Sequence, residues 1–168
     1  VRRRDTPRFV FDAQTEMINK LASANNTEEL CSKIPDALAV VKVYRQKLID
    51  GDVPFWDLIV TKHISKNPKH YKQRVSQVIA AEQLIKEGAE IHAGNNVRFL
   101  FTHAKDKRHE RRVKAAQLIE KSISPDVRKY LLLLYSSAAN LLSFAGYTTK
   151  SVCDSLEKQN QKSLISYT

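Results

Sequence analysis

Cysteine is nearly absent from this chain. Cys31 and Cys153 lie towards opposite ends of the sequence, whereas a disulfide framework or a thiolate zinc site needs more thiols or closer spacing. Both are therefore read as reduced, half-buried thiols of a cytosolic protein. Glycine is scarce as well: four in 168 residues, each with a turn to make, leave none for a phosphate-cradling loop. The P-loop, GxGxxG and GxSxG patterns are missing. With five prolines beside those four glycines, collagen-like and low-complexity sequence is excluded. Long apolar runs are lacking too. The longest, Leu131–Leu134 with its helical continuation, is broken by Tyr135, Ser136, Ser137 and Asn140, too short for a membrane span. Val1-Arg2-Arg3-Arg4-Asp5 carries no apolar stretch of a signal peptide.

Catalytic constellations are absent in the same way. Two-metal chemistry needs carboxylates converging from a rigid element, and the acids here are scattered; Asp50 and Asp52 flank the turn at Gly51. His63, His70, His92, His103 and His109 show neither HxxxH nor HExxH spacing. No active site is expected within this chain, and no cofactor.

What the chain does have is apolar content and positive charge. Forty-two per cent of residues are hydrophobic, enough for one solid core in one domain or two small lobes. Helical periodicity predicts a first helix over Phe9–Ala24, stopped by Asn25 and Asn26. A second region starts at Thr27 as N-cap, is kinked or restarted at Pro35, and continues over Asp36–Ile49 to a C-cap at Gly51. From Pro54 the texture changes. A single turn at Phe55–Leu58 leads into the β-favouring Ile59-Val60-Thr61, and Asn67-Pro68 opens a short helical turn. A helix over Ser76–Glu87 ends at Gly88; a short strand is expected at Ala89–His92 and another at Val97–His103, with Val97, Phe99 and Phe101 on its buried face. Lys105–Lys114 reads as a loop or helix start and Val113–Lys121 as a short amphipathic segment. Ser124-Pro125-Asp126 starts the most hydrophobic helix, Val127–Phe144, which Gly146 stops. The fold class is α+β, mainly helical, around a small irregular β-containing lobe.

The net charge of +10 is gathered rather than spread. Val1–Arg8 carries +3, Thr61–Arg74 carries +5 with no acid, and Lys105–Lys114 carries +4, leaving −2 for the rest of a chain whose total is +10. One such run alone reads as a solvated face. Three of them in an otherwise slightly acidic chain, with Thr6, Thr61, Ser65, Tyr71 and Thr102 beside the cations, suit a phosphate backbone. Nucleic acid is the expected partner. A membrane surface lacks a basic amphipathic helix to receive it.

Five segments, in order, carry a resemblance. They are Arg3-Arg4-Asp5-Thr6-Pro7 with Gln14; Thr61-Lys62-His63-Ile64-Ser65-Lys66 running on to Tyr71-Lys72; Ala80-Ala81 through Gly88; Gly94-Asn95-Asn96-Val97-Arg98-Phe99; and Phe144-Ala145-Gly146-Tyr147. Together the chain resembles the thumb and C-terminal part of a family B DNA polymerase of the archaeal kind. It departs from that pattern at Ser76-Gln77, where the family usually has Pro-His, and at Ala93, where Pro is common.

The resemblance implies a non-catalytic thumb portion or subunit of a DNA-directed DNA polymerase, nucleoid-associated in the cytoplasm. It would grip primer–template duplex, with the catalytic palm, fingers and magnesium on another chain or segment. It implies a thumb-like DNA-binding domain over 1–154, made of a helical base (1–53 and 125–147) and a mixed tip near 54–124. Arg3, Arg4, Thr61, Lys62, Lys66, Tyr71, Lys72 and Arg74 would face DNA. The polar tail, 155–168, is expected to be flexible, and its Gln161-Lys162-Ser163-Leu164-Ile165-Ser166-Tyr167-Thr168 resembles the motif that binds the sliding clamp (PCNA). Gln161, Leu164, Ile165 and Tyr167 would make that contact; Thr168 stands where the second aromatic is usual. The alternative reading is a free-standing basic nucleic-acid-binding protein with no polymerase partner.

Overall fold

A computed structural model describes residues 5–165, with side chains as far as Glu157. The chain is 58 % helical with one small antiparallel sheet, which is the mainly helical α+β class. It divides into two compact units, residues 1–9 with 53–129, and residues 10–52 with 130–168.

The second of these units is helical. Helix α1 (Arg8–Leu21) buries Val10, Ala13 and Met17, one stripe at helical spacing. Helix α2 (Thr27–Ser32) is capped by Asn26, not by Thr27 as the sequence suggested. The Asn26 side chain accepts the Glu29 N–H at 2.9 Å, and the Glu29 carboxylate accepts the Asn25 N–H at 2.8 Å. That return bond holds the Glu29 carboxyl below its usual range. Pro35 begins a fresh helix rather than bending one: it lies in the first turn of α3 (Ile34–Asp50), where a missing N–H leaves no bond unmade. Gly51, at φ 76°, ends it in the left-handed conformation. Val43 and Ile49 are exposed, while Ala37, Val41, Tyr44 and Leu48 are buried.

Helix α6 (Val127–Leu141) opens on Asp126, whose carboxylate accepts the Lys129 N–H at 3.0 Å. A short 3-10 turn over Ser143–Ala145 then leads to Gly146 at φ 76°. Helix α7 (Thr149–Ile165) takes in Ser155, where the sequence placed the start of a polar tail. Thr148 and Ser151 cap its start reciprocally, and Val152 and Leu156, one turn apart, are both fully buried. That stripe is enough to hold the polar segment in a helix. The thiols differ from expectation as well: Cys153 is half-buried, but Cys31 is exposed.

The first unit carries the sheet, in the order β1 (Val60–His63), β2 (Asn96–Phe101), β3 (Val113–Ala115), antiparallel throughout. A single turn, α4 (Phe55–Leu58), precedes β1. Helix α5 (Ser76–Lys86) packs on β2 and β3. Its Ile79, Ala80 and Leu84 close a core with Val60, Val97, Phe99, Val113 and Ala115. Leu100, expected on the open face of its strand, is fully buried, so both faces of β2 are covered there. No strand forms at Ala89–His92. The chain instead turns through Gly88 and Gly94, with His92 N–H on the Asn95 side chain at 2.7 Å and Gly94 N–H on Ile64 at 2.8 Å. The Val113–Lys121 segment becomes β3 followed by a 3-10 turn over Ala116–Leu118. Among the described residues, no helix is long and apolar enough to cross a membrane.

Candidate nucleic-acid interface

The acid-free basic run occupies β1 and the loop that leads to α5. Strand pairing sets Val60 opposite Phe99 in the core and Thr61 opposite Arg98 on the other face. Arg98 is exposed, and so brings a cation beside Thr61 that the three charge runs do not contain. The alternation of Val97, Arg98 and Phe99 was the signal for its outward position.

After β1, the loop is braced from within. Ile64 is fully buried and anchors it. The Tyr71 hydroxyl accepts the Ser65 N–H at 2.9 Å and lies 3.0 Å from the Ser65 hydroxyl, while Lys66 Nζ stands 5.0 Å above the Tyr71 ring. These bonds, the Ser65 hydroxyl first, hold the phenol below its usual pKa. Asn67 accepts the Lys69 N–H at 3.0 Å and caps the 3-10 turn Pro68–His70. Thus Ser65, Lys66 and Tyr71 are brought together, and the phenol ties the loop rather than standing open. Lys72 is exposed. Arg74, also exposed, forms an ion pair with Glu82 in the second turn of α5. Arg3 and Arg4 lie outside the described residues, as does Tyr167; of the side chains of Gln161, Leu164 and Ile165 nothing is described.

The third run, Lys105–Lys114, folds around one acid. Asp106 accepts the Arg108 N–H at 2.8 Å, lies 3.4 Å from the Arg111 guanidinium, and its backbone carbonyl accepts Arg112 Nε at 2.7 Å. The Arg108 N–H is the main reason its carboxyl sits below the usual range. Arg112 is thereby drawn in from solvent and half-buried. It meets Lys62, Arg74 and Lys129 around a depression of about 370 Å³ at the start of α5. Two other depressions of similar size each include a carboxylate, Glu110 or Asp5. Among the described residues no group of three or more His, Cys, Asp or Glu could hold a metal ion.

By class this is a mainly helical α+β chain whose cations are concentrated on its sheet-bearing unit. Its membership is narrower than that. The family model for DNA polymerase family B matches residues 1–144, and the chain belongs to that family. No curated protein matches it. Among solved structures, it is similar to the family B DNA polymerase from the hyperthermophilic archaeon Pyrobaculum calidifontis, with a TM-score of 0.67 and 19 % sequence identity over 80 % of this chain. That match takes in 17 % of the archaeal chain, so this chain spans a small share of the relative's length.

Proposed function

We propose that this chain is the thumb portion of a DNA polymerase and grips primer–template duplex without an active site of its own. The observation that carries the reading is the β1–Arg74 segment. It has five cations and no acid in fourteen residues, set on a strand and on a loop braced by Tyr71 and Asn67. A braced loop presents its cations with little ordering cost, and cations on a backbone give sequence-independent affinity. Thr61, Lys62, Lys66 and Lys72, with Arg3 and Arg4, are the proposed phosphate contacts. Tyr71 holds Lys66 in place, and Arg74 contributes where Glu82 leaves it free. A catalytic chain or segment with palm, fingers and magnesium is the proposed partner.

The experiment measures duplex binding against salt for Lys62→Ala and Lys66→Ala. Each lost contact flattens the log–log slope by about one unit. Slopes equal to the parent's for both variants would mean the duplex sits elsewhere.

The reading extends to the sliding clamp through Gln161, Leu164, Ile165 and Tyr167, whose spacing matches a one-turn plug of aliphatic and aromatic groups. Deleting residues 161–168 is expected to abolish binding to the clamp and leave duplex binding as it was.

A further inference from the structure

The depression at the start of α5 differs from its neighbours in charge. Lys62 comes from β1, Arg74 from the loop, Arg112 from the end of the third basic run and Lys129 from the first turn of α6. Among the described residues no carboxylate lines it. Lysine and arginine are normally solvated, yet Lys62, Arg112 and Lys129 are all half-buried here. Two of them are fixed in place: Arg112 by its bond to the Asp106 carbonyl, Lys129 by standing 5.0 Å above the Phe101 ring. Glu82 offsets Arg74 only. Three cations therefore converge, with no carboxylate among the described lining residues, on a volume of about 370 Å³, many times the room one water needs. The nearest acids stand beside it, Asp126 on the Ala104 N–H and Asp5 in the neighbouring depression that Lys62 also lines.

We propose that this pocket binds a compact oligophosphate, the diphosphate or triphosphate group of a nucleotide or inorganic pyrophosphate. The argument is one of charge density. A phosphodiester link brings a single negative charge and would leave most of the convergent cations unanswered. A chain of two or three phosphates concentrates several charges in the space available, and the planar Arg112 guanidinium can engage two oxygens at once. This inference shares Lys62 and Arg74 with the duplex reading and is separated from it by Arg112 and Lys129, which are not among the proposed duplex contacts.

The test is calorimetric titration of the full chain, at fixed ionic strength, with orthophosphate, pyrophosphate and a nucleoside triphosphate. The expected result is pyrophosphate binding at least tenfold tighter than orthophosphate, and at least a tenfold loss in the Arg112→Gln/Lys129→Gln double variant. The nucleotide arm assigns the source: tighter binding than pyrophosphate points to a nucleotide, equal or weaker binding to the inorganic ion. Thermal unfolding reports whether the double variant folds. Should it melt early, Lys129→Met, which keeps the aliphatic stem over Phe101, is read instead and is expected to lose affinity severalfold. Equal affinity for orthophosphate and pyrophosphate overturns the proposal, and so does undiminished binding in a folded variant. Loss of duplex binding alone, with pyrophosphate binding intact, overturns it in favour of a backbone contact. Salt slopes equal to the parent's for the Lys62 and Lys66 variants would instead count against the duplex reading and leave this one standing.

Discussion

Gln83 stands to Ala115 as a neighbouring strand would. Its side-chain oxygen accepts the Ala115 N–H at 2.8 Å, and its side-chain nitrogen donates to the carbonyls of Val113 and Glu110 at 2.9 and 3.1 Å. One amide on α5 thus satisfies backbone groups of β3 on the side where the sheet has no further strand, and closes an edge that would otherwise be open to pairing. Replacing Gln83 with Leu keeps the bulk and removes all three bonds. The expected cost is about 2–4 kcal/mol, because partly buried peptide groups lose their partners. Chemical denaturation checks it; a loss below about 0.5 kcal/mol would show that water fills the gap.

The cap of α2 separates two adjacent residues. Asn26→Ala removes the bond to the Glu29 N–H and is expected to cost about 1 kcal/mol. Thr27→Ala, one position on, makes no cap bond and is expected to change stability by less than about 0.5 kcal/mol. Equal effects in a denaturation pair would contradict the assignment of Asn26.

Ser137, on α6, is buried, and its hydroxyl has no hydrogen-bond partner. Ser137→Ala relieves that group and is expected to raise stability by about 1 kcal/mol. A destabilised variant would indicate a bridging water.

Alkaline pH singles out Tyr44. Burial, and then the bond from its hydroxyl to Glu16 at 2.6 Å, push its pKa well above the ordinary phenol value. The folded state therefore keeps a proton that the unfolded chain gives up near pH 10. The resulting stabilisation is complete below that pH and is lost as the pH climbs towards the raised value, by at most about 1.4 kcal/mol per pH unit. Tyr135, raised mainly by burial, acts in the same sense. Urea unfolding at pH 8 and pH 11 is expected to show a smaller drop for Tyr44→Phe than for the parent chain. An identical drop would assign the alkaline loss to other groups.

Much of the helical frame is legible in local signals. The stripe of Val10, Ala13 and Met17, the stop at Gly51, the Asn67-Pro68 turn and the Asp126 start each involve residues within a turn or two of one another. The β strands β1 and β2 were also marked, by branched residues and by alternation. What escaped depends on partners distant in sequence. Leu100 reads as outward until the far face of its strand is covered. The Val113–Ala115 strand is too short to show a period and is fixed by Gln83, some thirty residues earlier. The start of α7 looks polar because, among its described residues, the buried apolar stripe is Val152 and Leu156. The same limit applies to the interface. Charge counting found the three runs, but not that Arg112, from the run with no evident role, meets Lys62 from another. Arg98 and Lys129 lay outside every run and entered only through strand pairing and the packing of the Phe101 ring.

The division of the chain has a consequence for the order of assembly. Residues 53–129 form one uninterrupted stretch that supplies nearly all of the sheet-bearing unit, whereas the helical unit is made from residues 10–52 and from 130 onwards. During synthesis the sheet-bearing stretch is complete before α6 and α7 have emerged. Its internal pairings, Val60 with Phe99 and Phe99 with Ala115, close shorter loops than any that join residues 10–52 to residue 130 onwards. The helical unit, which includes the buried Val41 and Leu48 of α3, is completed only when the later half arrives. The nascent chain is therefore most exposed to proteases and self-association not at its cationic lobe, but along the apolar stripe of α3.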